Sequence, residues 1–166
     1  MTSWTIFPVW PQLARHGLHR LDTVSISDPD DLKRAADVLG LPFWLRPNEG
    51  AGGRGSAPVR DIPSATCWLK FWQAQWPGTR FIAQEFLPGR DYAVQSLWRE
   101  GELIQAKTCE RLDYLFGAIM PSGSSSTPRV ARTIDDPLIN ELCVATVRAV
   151  DTRATGLFCR NPNFIS

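Results

Sequence analysis

The chain has 166 residues, 43% of them hydrophobic and 21% charged, with a formal net charge of +1. That apolar content is enough to bury a real core, in one compact unit or in two small lobes sharing a hinge. The near-neutral charge leaves no basic field for nonspecific nucleic-acid binding, so a nucleic-acid partner is unlikely on composition. No apolar run approaches the length of a membrane span, and the amino terminus lacks a charged segment followed by an apolar signal core. A cytoplasmic setting without a membrane partner is therefore expected. Cys67, Cys109, Cys143 and Cys159 are scattered with no CxxC pair, which predicts free buried thiols rather than a zinc knuckle or a disulfide framework.

Taken in chain order, His16 and His19 come first and have no metal-ligand neighbours, so surface or capping roles are expected of them. Asp28-Pro29 supplies an N-cap and a proline at the first helical position. Leu32, Ala35, Ala36 and Leu39 then recur at helical spacing until Gly40 stops the turn. Phe43, Trp44 and Leu45 fit a strand, and the Arg46-Pro47 step leads into a loop holding Gly50, Gly52, Gly53 and Gly55. Such a backbone can turn successive N–H groups toward an anion, and Arg46 and Arg54 bracket it with permanent charge suited to phosphate oxygens. The same stretch also fits a flexible hairpin tip.

A second helix is predicted from about Ser64, with Ala65, Trp68, Leu69, Trp72 and Trp76 on one stripe that Pro77-Gly78 ends. That stripe reads as packed core or as an aromatic binding face. Arg80 to Phe86 reads as a strand. After Leu87-Pro88-Gly89 a second strand runs from Tyr92 to Trp98, with Tyr92, Val94, Ser96 and Trp98 on one face and Ala93, Gln95 and Leu97 on the other. Arg99 to Glu102 turns the chain into an antiparallel partner, Leu103 to Thr108. Gly117 to Arg129 reads as a long loop. A third helix opens at Asp136-Pro137, and a late strand at Gly156 to Cys159.

This order of elements resembles the ATP-grasp fold. The resemblance is nearest to the ATP-binding domain of the carbamoyl-phosphate synthetase large chain and related ATP-dependent ligases, and it spans about Leu13 to Cys159. Its carriers are a [Lys/Arg]-Pro step with a glycine loop, here RPNEGAGGRGS, and a later E-x-[FYW]-[LIV]-x-G-x-[ED] run, here QEFLPGRD. The fold class implied is α+β, two small lobes with antiparallel sheets. Residues 1–27 would be a lead-in segment, 28–83 a small lobe with the glycine-rich loop, and 84–166 a second lobe with its hinge at 84–89.

The resemblance also implies roles. Arg46 would touch the ATP α-phosphate, and Gly50, Gly52, Gly53 and Gly55, flanked by Arg54, would close over the β- and γ-phosphates. Gln84, Glu85, Phe86 and Leu87 would form the hinge that reads the adenine edge, and Asp91 would accept the ribose hydroxyls. Lys107 and Arg111 fall where relatives place polar groups near the transferred phosphoryl or acyl substrate, and Ser122 to Thr127 where a loop flanks the cleft. Alternatively, Arg46 pairs with Glu49 or Asp91, Glu85 is a solvated carboxylate, and Phe86 and Leu87 are core.

The family's chemistry uses Mg²⁺ held by one acidic residue on a late strand and a Glu-x-Asn pair on the last strand. Here Gly156-Leu157-Phe158-Cys159 runs into Arg160-Asn161-Pro162-Asn163, and neither carboxylate position is filled. The expectation is a truncated ATP-grasp domain that binds ATP and lacks metal ligands. Its relatives transfer the γ-phosphoryl group to a small carboxylate or bicarbonate through an acyl phosphate. Its activity would need the missing residues from a complementing chain, and a homodimer through the late strand, left without its neighbour, is expected. The competing readings are a non-catalytic nucleotide-binding or interaction module and, with less support, a single-strand nucleic-acid binder using Trp68, Trp72 and Trp76.

Overall fold

Asp28 opens the first helix of the computed structural model as its sequence requires. Its carboxylate accepts the N–H groups of Asp30 at 2.8 Å and Asp31 at 3.1 Å, while Asp31 reaches back to the N–H of Ser27 at 2.7 Å. This reciprocal cap starts α1 at Pro29–Leu39, and Gly40, at φ 73°, ends it. The structure describes residues 21–49, 53–124, 127–160 and 163–164. Within them the chain divides into two units, Leu21–Phe86 with Leu115–Thr127, and Leu87–Tyr114 with the residues from Pro128 onward.

The first unit is a four-stranded antiparallel sheet backed by α1 and α2 (Ile62–Gln75). Its strands are β1 (Thr23–Ile26), β2 (Phe43–Pro47), β3 (Ala57–Val59) and β4 (Phe81–Glu85), in the order β1-β4-β2-β3. One face is all core: Ile26, Phe43, Leu45, Val59, Phe81 and Ala83 pack against Leu32, Ala35, Ala65 and Leu69 of the helices. Strand β1 lies in the stretch that the sequence reading left as lead-in. Its four residues TVSI are too few to show a period, and its pairing with β4 defines it. Helix α2 begins two residues before Ser64 because Asp61 is the cap, accepting the Ser64 N–H at 2.8 Å.

The second unit has β5 (Arg90–Arg99), β6 (Glu102–Tyr114), β7 (Pro128–Ile134) and β8 (Gly156–Arg160) in the order β7-β6-β5-β8, and β9 (Asn163–Phe164) also pairs with β5. Helix α3 (Pro137–Val150), capped by Asp136, places Ile139, Cys143 and Val147 against Tyr92, Val94 and Trp98. The alternation expected for Tyr92 to Trp98 holds, and Ala93, Gln95 and Leu97 point away from the helix. At the hairpin tip Glu100 and Gly101 both take positive φ, 51° and 86°, the turn that matches strand twist.

Two boundaries differ from the sequence reading. Strand β6 continues six residues past Thr108 to Tyr114, and β7 begins at Pro128, inside the stretch read as loop. Charged residues masked both strands. In the sheet those charges face one another, Asp91 opposite Arg111 and Glu110 opposite Arg132. Among the described residues no helix is long and apolar enough to cross a membrane.

Candidate functional site

In the first unit the candidate residues collect on the sheet face turned away from α1 and α2. Phe43 and Leu45 point into the core, so Trp44 and Arg46 take the opposite face, across from Gln84 and Ile82 of β4. Arg46 is half-buried, and loss of water around it lowers its pKa from the usual guanidinium value. Among the described residues no ion pair joins it to Glu49 or Asp91; the cation facing Asp91 is Arg111, at 3.6 Å. A partly desolvated cation with no carboxylate beside it favours an anionic ligand, which would supply the missing counter-charge.

Gly50 and Gly52 lie outside the described residues. Gly53 and Gly55 both sit in the left-handed region, at φ 71° and 72°, and the Ser56 N–H closes a turn on the Gly53 carbonyl at 3.1 Å. Gly55 is doubly constrained, because a Cβ there would lie 2.9 Å from Pro47 Cγ and 3.3 Å from the Trp72 ring. The Trp68 indole N–H also donates to the Gly55 carbonyl at 3.0 Å. The aromatic stripe thus anchors the end of the glycine loop. Trp68 and Trp72 pack against the core, and Trp76 stacks on Trp72 at 4.4 Å. Arg54, between the two glycines, is exposed.

At the end of β4 Gln84 is buried and its amide donates to Thr23 Oγ1 at 3.1 Å. The Glu85 N–H donates to the Asp22 carbonyl at 3.4 Å, and the Phe86 ring lies 6.2 Å from Trp44. Leu87, half-buried, is the first described residue of the second unit.

In the second unit Asp91, Gln95, Lys107 and Arg111 share the face away from α3, with Gln95 opposite Lys107 and Asp91 opposite Arg111. Lys107 is exposed and forms no ion pair among the described residues. Arg111 and the phenol of Tyr114 both contact the same Asp91 oxygen, Oδ2. Asp91 Oδ1 has no hydrogen-bond partner among the described residues. Burial raises the Tyr114 pKa most, and the Asp91 carboxylate raises it further, so the phenol stays a donor. In the loop, Ser122 Oγ donates to the Ser124 carbonyl at 2.8 Å. Ser125 and Ser126, like His16 and His19, lie outside the described residues.

Sequence reasoning missed Tyr114, Trp44 and Thr23. No spacing marks Tyr114, since a strand irregularity carries it to Asp91. Trp44 was assigned to its strand, and alternation with the buried Phe43 and Leu45 was the available signal for its face. Among the described residues no group of three or more His, Cys, Asp or Glu side chains is placed to hold a metal ion.

No protein-family model and no curated protein matches the chain. Solved structures do. N5-carboxyaminoimidazole synthase from Aspergillus clavatus, in complex with ADP and 5-aminoimidazole ribonucleotide, superposes with a TM-score of 0.72 at 15% identity, over 96% of this chain and 40% of that one. Phosphoribosylamine–glycine ligase from Thermotoga maritima gives 0.68 at 13%, over 96% and 44%. D-alanine–D-alanine ligase from Bacillus anthracis gives 0.63 at 15%, over 94% and 51%. The chain thus spans about half or less of these neighbours. They are ATP-grasp ligases, and the chain has the ATP-grasp fold.

Proposed function

We propose that the chain is the nucleotide-binding part of an ATP-grasp ligase, of the kind that joins a carboxylate or bicarbonate to an amine through an acyl phosphate. The observation that carries this reading is Arg46, a half-buried cation with no carboxylate partner among the described residues, on a strand that runs into a glycine loop. It is supported by the Asp91 oxygen left open beside Arg111, and by a neighbour of this fold, the Aspergillus clavatus carboxyaminoimidazole ribonucleotide synthase, solved complexed with ATP.

In this reading Arg46 contacts the α-phosphate, and Gly50, Gly52, Gly53 and Gly55 with Arg54 cover the outer phosphates. The Gln84 to Leu87 backbone takes the adenine edge, and Asp91 takes the ribose. Residues 28–83 and 84–166, with a hinge at 84–89, are the corresponding division of the chain. Lys107 stands on the Asp91 face, where it can meet the phosphoryl or acyl group. Arg111 serves instead to hold Asp91.

We propose further that this chain alone binds ATP without turnover, in a cytoplasmic setting. Its 166 residues contain no Glu-x-Asn run to hold Mg²⁺, so the metal and its ligands would come with another segment or a complementing chain. The resemblance to the carbamoyl-phosphate synthetase ATP-binding domain implies bicarbonate as one acceptor and a small carboxylate as the other.

Isothermal titration with ATP tests the reading, with and without Mg²⁺ and beside a single-stranded oligonucleotide. ATP binding that changes little with Mg²⁺, and that Arg46→Ala weakens by about 1.5–3 kcal/mol, is expected. Asp91→Ala should narrow the preference for ATP over 2′-deoxy-ATP. Oligonucleotide binding in place of ATP, or an Arg46→Ala variant with unchanged affinity, refutes it.

A further inference from the structure

Strict alternation along β6 would turn Tyr114 to the face opposite Arg111, because side chains three residues apart on a regular strand point opposite ways. The structure departs from alternation here. The register of β6 against β7 shifts twice, between Arg111 and Asp113 and again between Asp113 and Tyr114. Such irregularities re-aim side chains, and this one delivers the Tyr114 phenol to Asp91.

The displaced backbone is clamped. Asp113 Oδ1 accepts the Tyr114 N–H at 2.8 Å, and Asp113 Oδ2 accepts Arg129 Nε at 2.7 Å, with a second contact from Arg129 Nη2. The paired Arg129 guanidinium holds the Asp113 carboxyl below its usual range, so the clamp is charged at neutral pH. Arg129 lies on β7, at the far side of the same irregularity.

We infer that Tyr114 is a positioning residue for sugar recognition, fixing the Asp91 carboxylate through Oδ2 so that Oδ1 is presented to a ribose hydroxyl. This rests on the nucleotide reading proposed above and names what confers its sugar selectivity. An exposed carboxylate on a strand rotates freely and must be ordered by its ligand. The phenol's hydrogen bond, with the Arg111 ion pair at 3.6 Å on the same oxygen, holds the carboxylate plane before the ligand arrives and leaves its other oxygen as the acceptor. A missing hydroxyl then leaves a preoriented acceptor unsatisfied, and selectivity follows from that asymmetry.

The test compares ATP and 2′-deoxy-ATP by titration calorimetry on the full chain, unaltered and as Tyr114→Phe, with Asp91→Ala as the reference for complete loss. Tyr114→Phe keeps the ring and removes the donor. The ATP to 2′-deoxy-ATP affinity ratio should fall about fivefold, with 2′-deoxy-ATP affinity changed less than about twofold. A merely structural role would weaken both nucleotides together and leave the ratio intact, and that result overturns the inference while the nucleotide reading stands. If the unaltered chain binds neither nucleotide, the nucleotide reading falls and the inference with it. Should Tyr114→Phe fail to fold, Arg129→Gln carries the same test. Arg129 is exposed, and releasing Asp113 should lower the ratio by about twofold. An unchanged ratio in a folded Arg129→Gln variant would also overturn the inference.

Discussion

Gly101 should be far less replaceable than Gly78, although their backbones are nearly identical. Both hold left-handed conformations, φ 86° at Gly101 and 87° at Gly78. A Cβ at Gly78 would meet nothing within 4 Å, whereas one at Gly101 would lie 2.3 Å from the Thr152 carbonyl oxygen and 3.3 Å from its carbon. Gly78→Ala therefore pays only the left-handed penalty, about 1 kcal/mol. In Gly101→Ala the Thr152–Thr155 segment must retreat, and two bonds that dock the hairpin tip stretch with it. These are Gly101 N–H to the Ala154 carbonyl at 3.0 Å and Glu100 N–H to Thr155 Oγ1 at 2.9 Å. At about 1 kcal/mol each they bring the total to about 3 kcal/mol. Urea unfolding of both variants reads the difference as a lower midpoint at unchanged slope. Because Thr155 leads into β8, amide exchange should also accelerate in β8 and stay unchanged in β1 to β4. Equal destabilisation of the two variants would refute the argument, since only the contact with Thr152 separates them.

Asp61→Ala should lower the denaturation midpoint of the first unit through loss of the α2 cap, and Asp61→Asn should restore most of it. Asp31, whose pKa is lowered chiefly by the Ser27 N–H, contributes stability that is present above its unfolded value of 3.8 and lost as pH falls below it. Asp31→Asn should therefore flatten the fall in unfolding midpoint between about pH 4 and pH 3, and an unchanged slope would exclude the cap as its source. Arg46→Met should raise the stability of the ligand-free chain by about 1 kcal/mol while weakening the stabilisation that ATP gives, because it exchanges a partly desolvated cation with no ion-pair partner among the described residues for a thioether. Lower stability without ligand would show that Arg46 has a structural partner.

The fold was legible where local chemistry and packing agree. Asp28-Pro29 and Asp136-Pro137 start helices at the residues the sequence marks, and the Tyr92 to Trp98 alternation survives intact because α3 covers one face of β5 and leaves the other open. The reading failed where long-range partners decide. Thr23–Ile26 has no period of its own and becomes a strand by pairing with β4. The end of β6, CERLDY, reads as polar and is held as a strand because Asp91, Arg132 and Arg129 stand beside Arg111, Glu110 and Asp113. Propensity sees only the penalty of those charges; the sheet supplies their partners.

The candidate site follows a different logic. A sequence can announce a residue type at a motif position, as RP and GRD announce Arg46 and Asp91, but it cannot state whether the protein itself already uses that residue. Arg46 and Asp91 part on this point. Arg46 lies beside no carboxylate among the described residues and is partly desolvated, a destabilising arrangement that an anion would relieve. Asp91 is half used, with Oδ2 taking the Tyr114 hydrogen bond and the Arg111 ion pair within its own sheet, and Oδ1 without a partner among the described residues. The first residue would supply affinity through charge, in a form that any phosphate could satisfy. The second, because its orientation is fixed by Tyr114, would discriminate between sugars. In the proposed reading affinity would therefore rest on Arg46 and selectivity on Asp91, and a substitution that removes one should leave the other measurable.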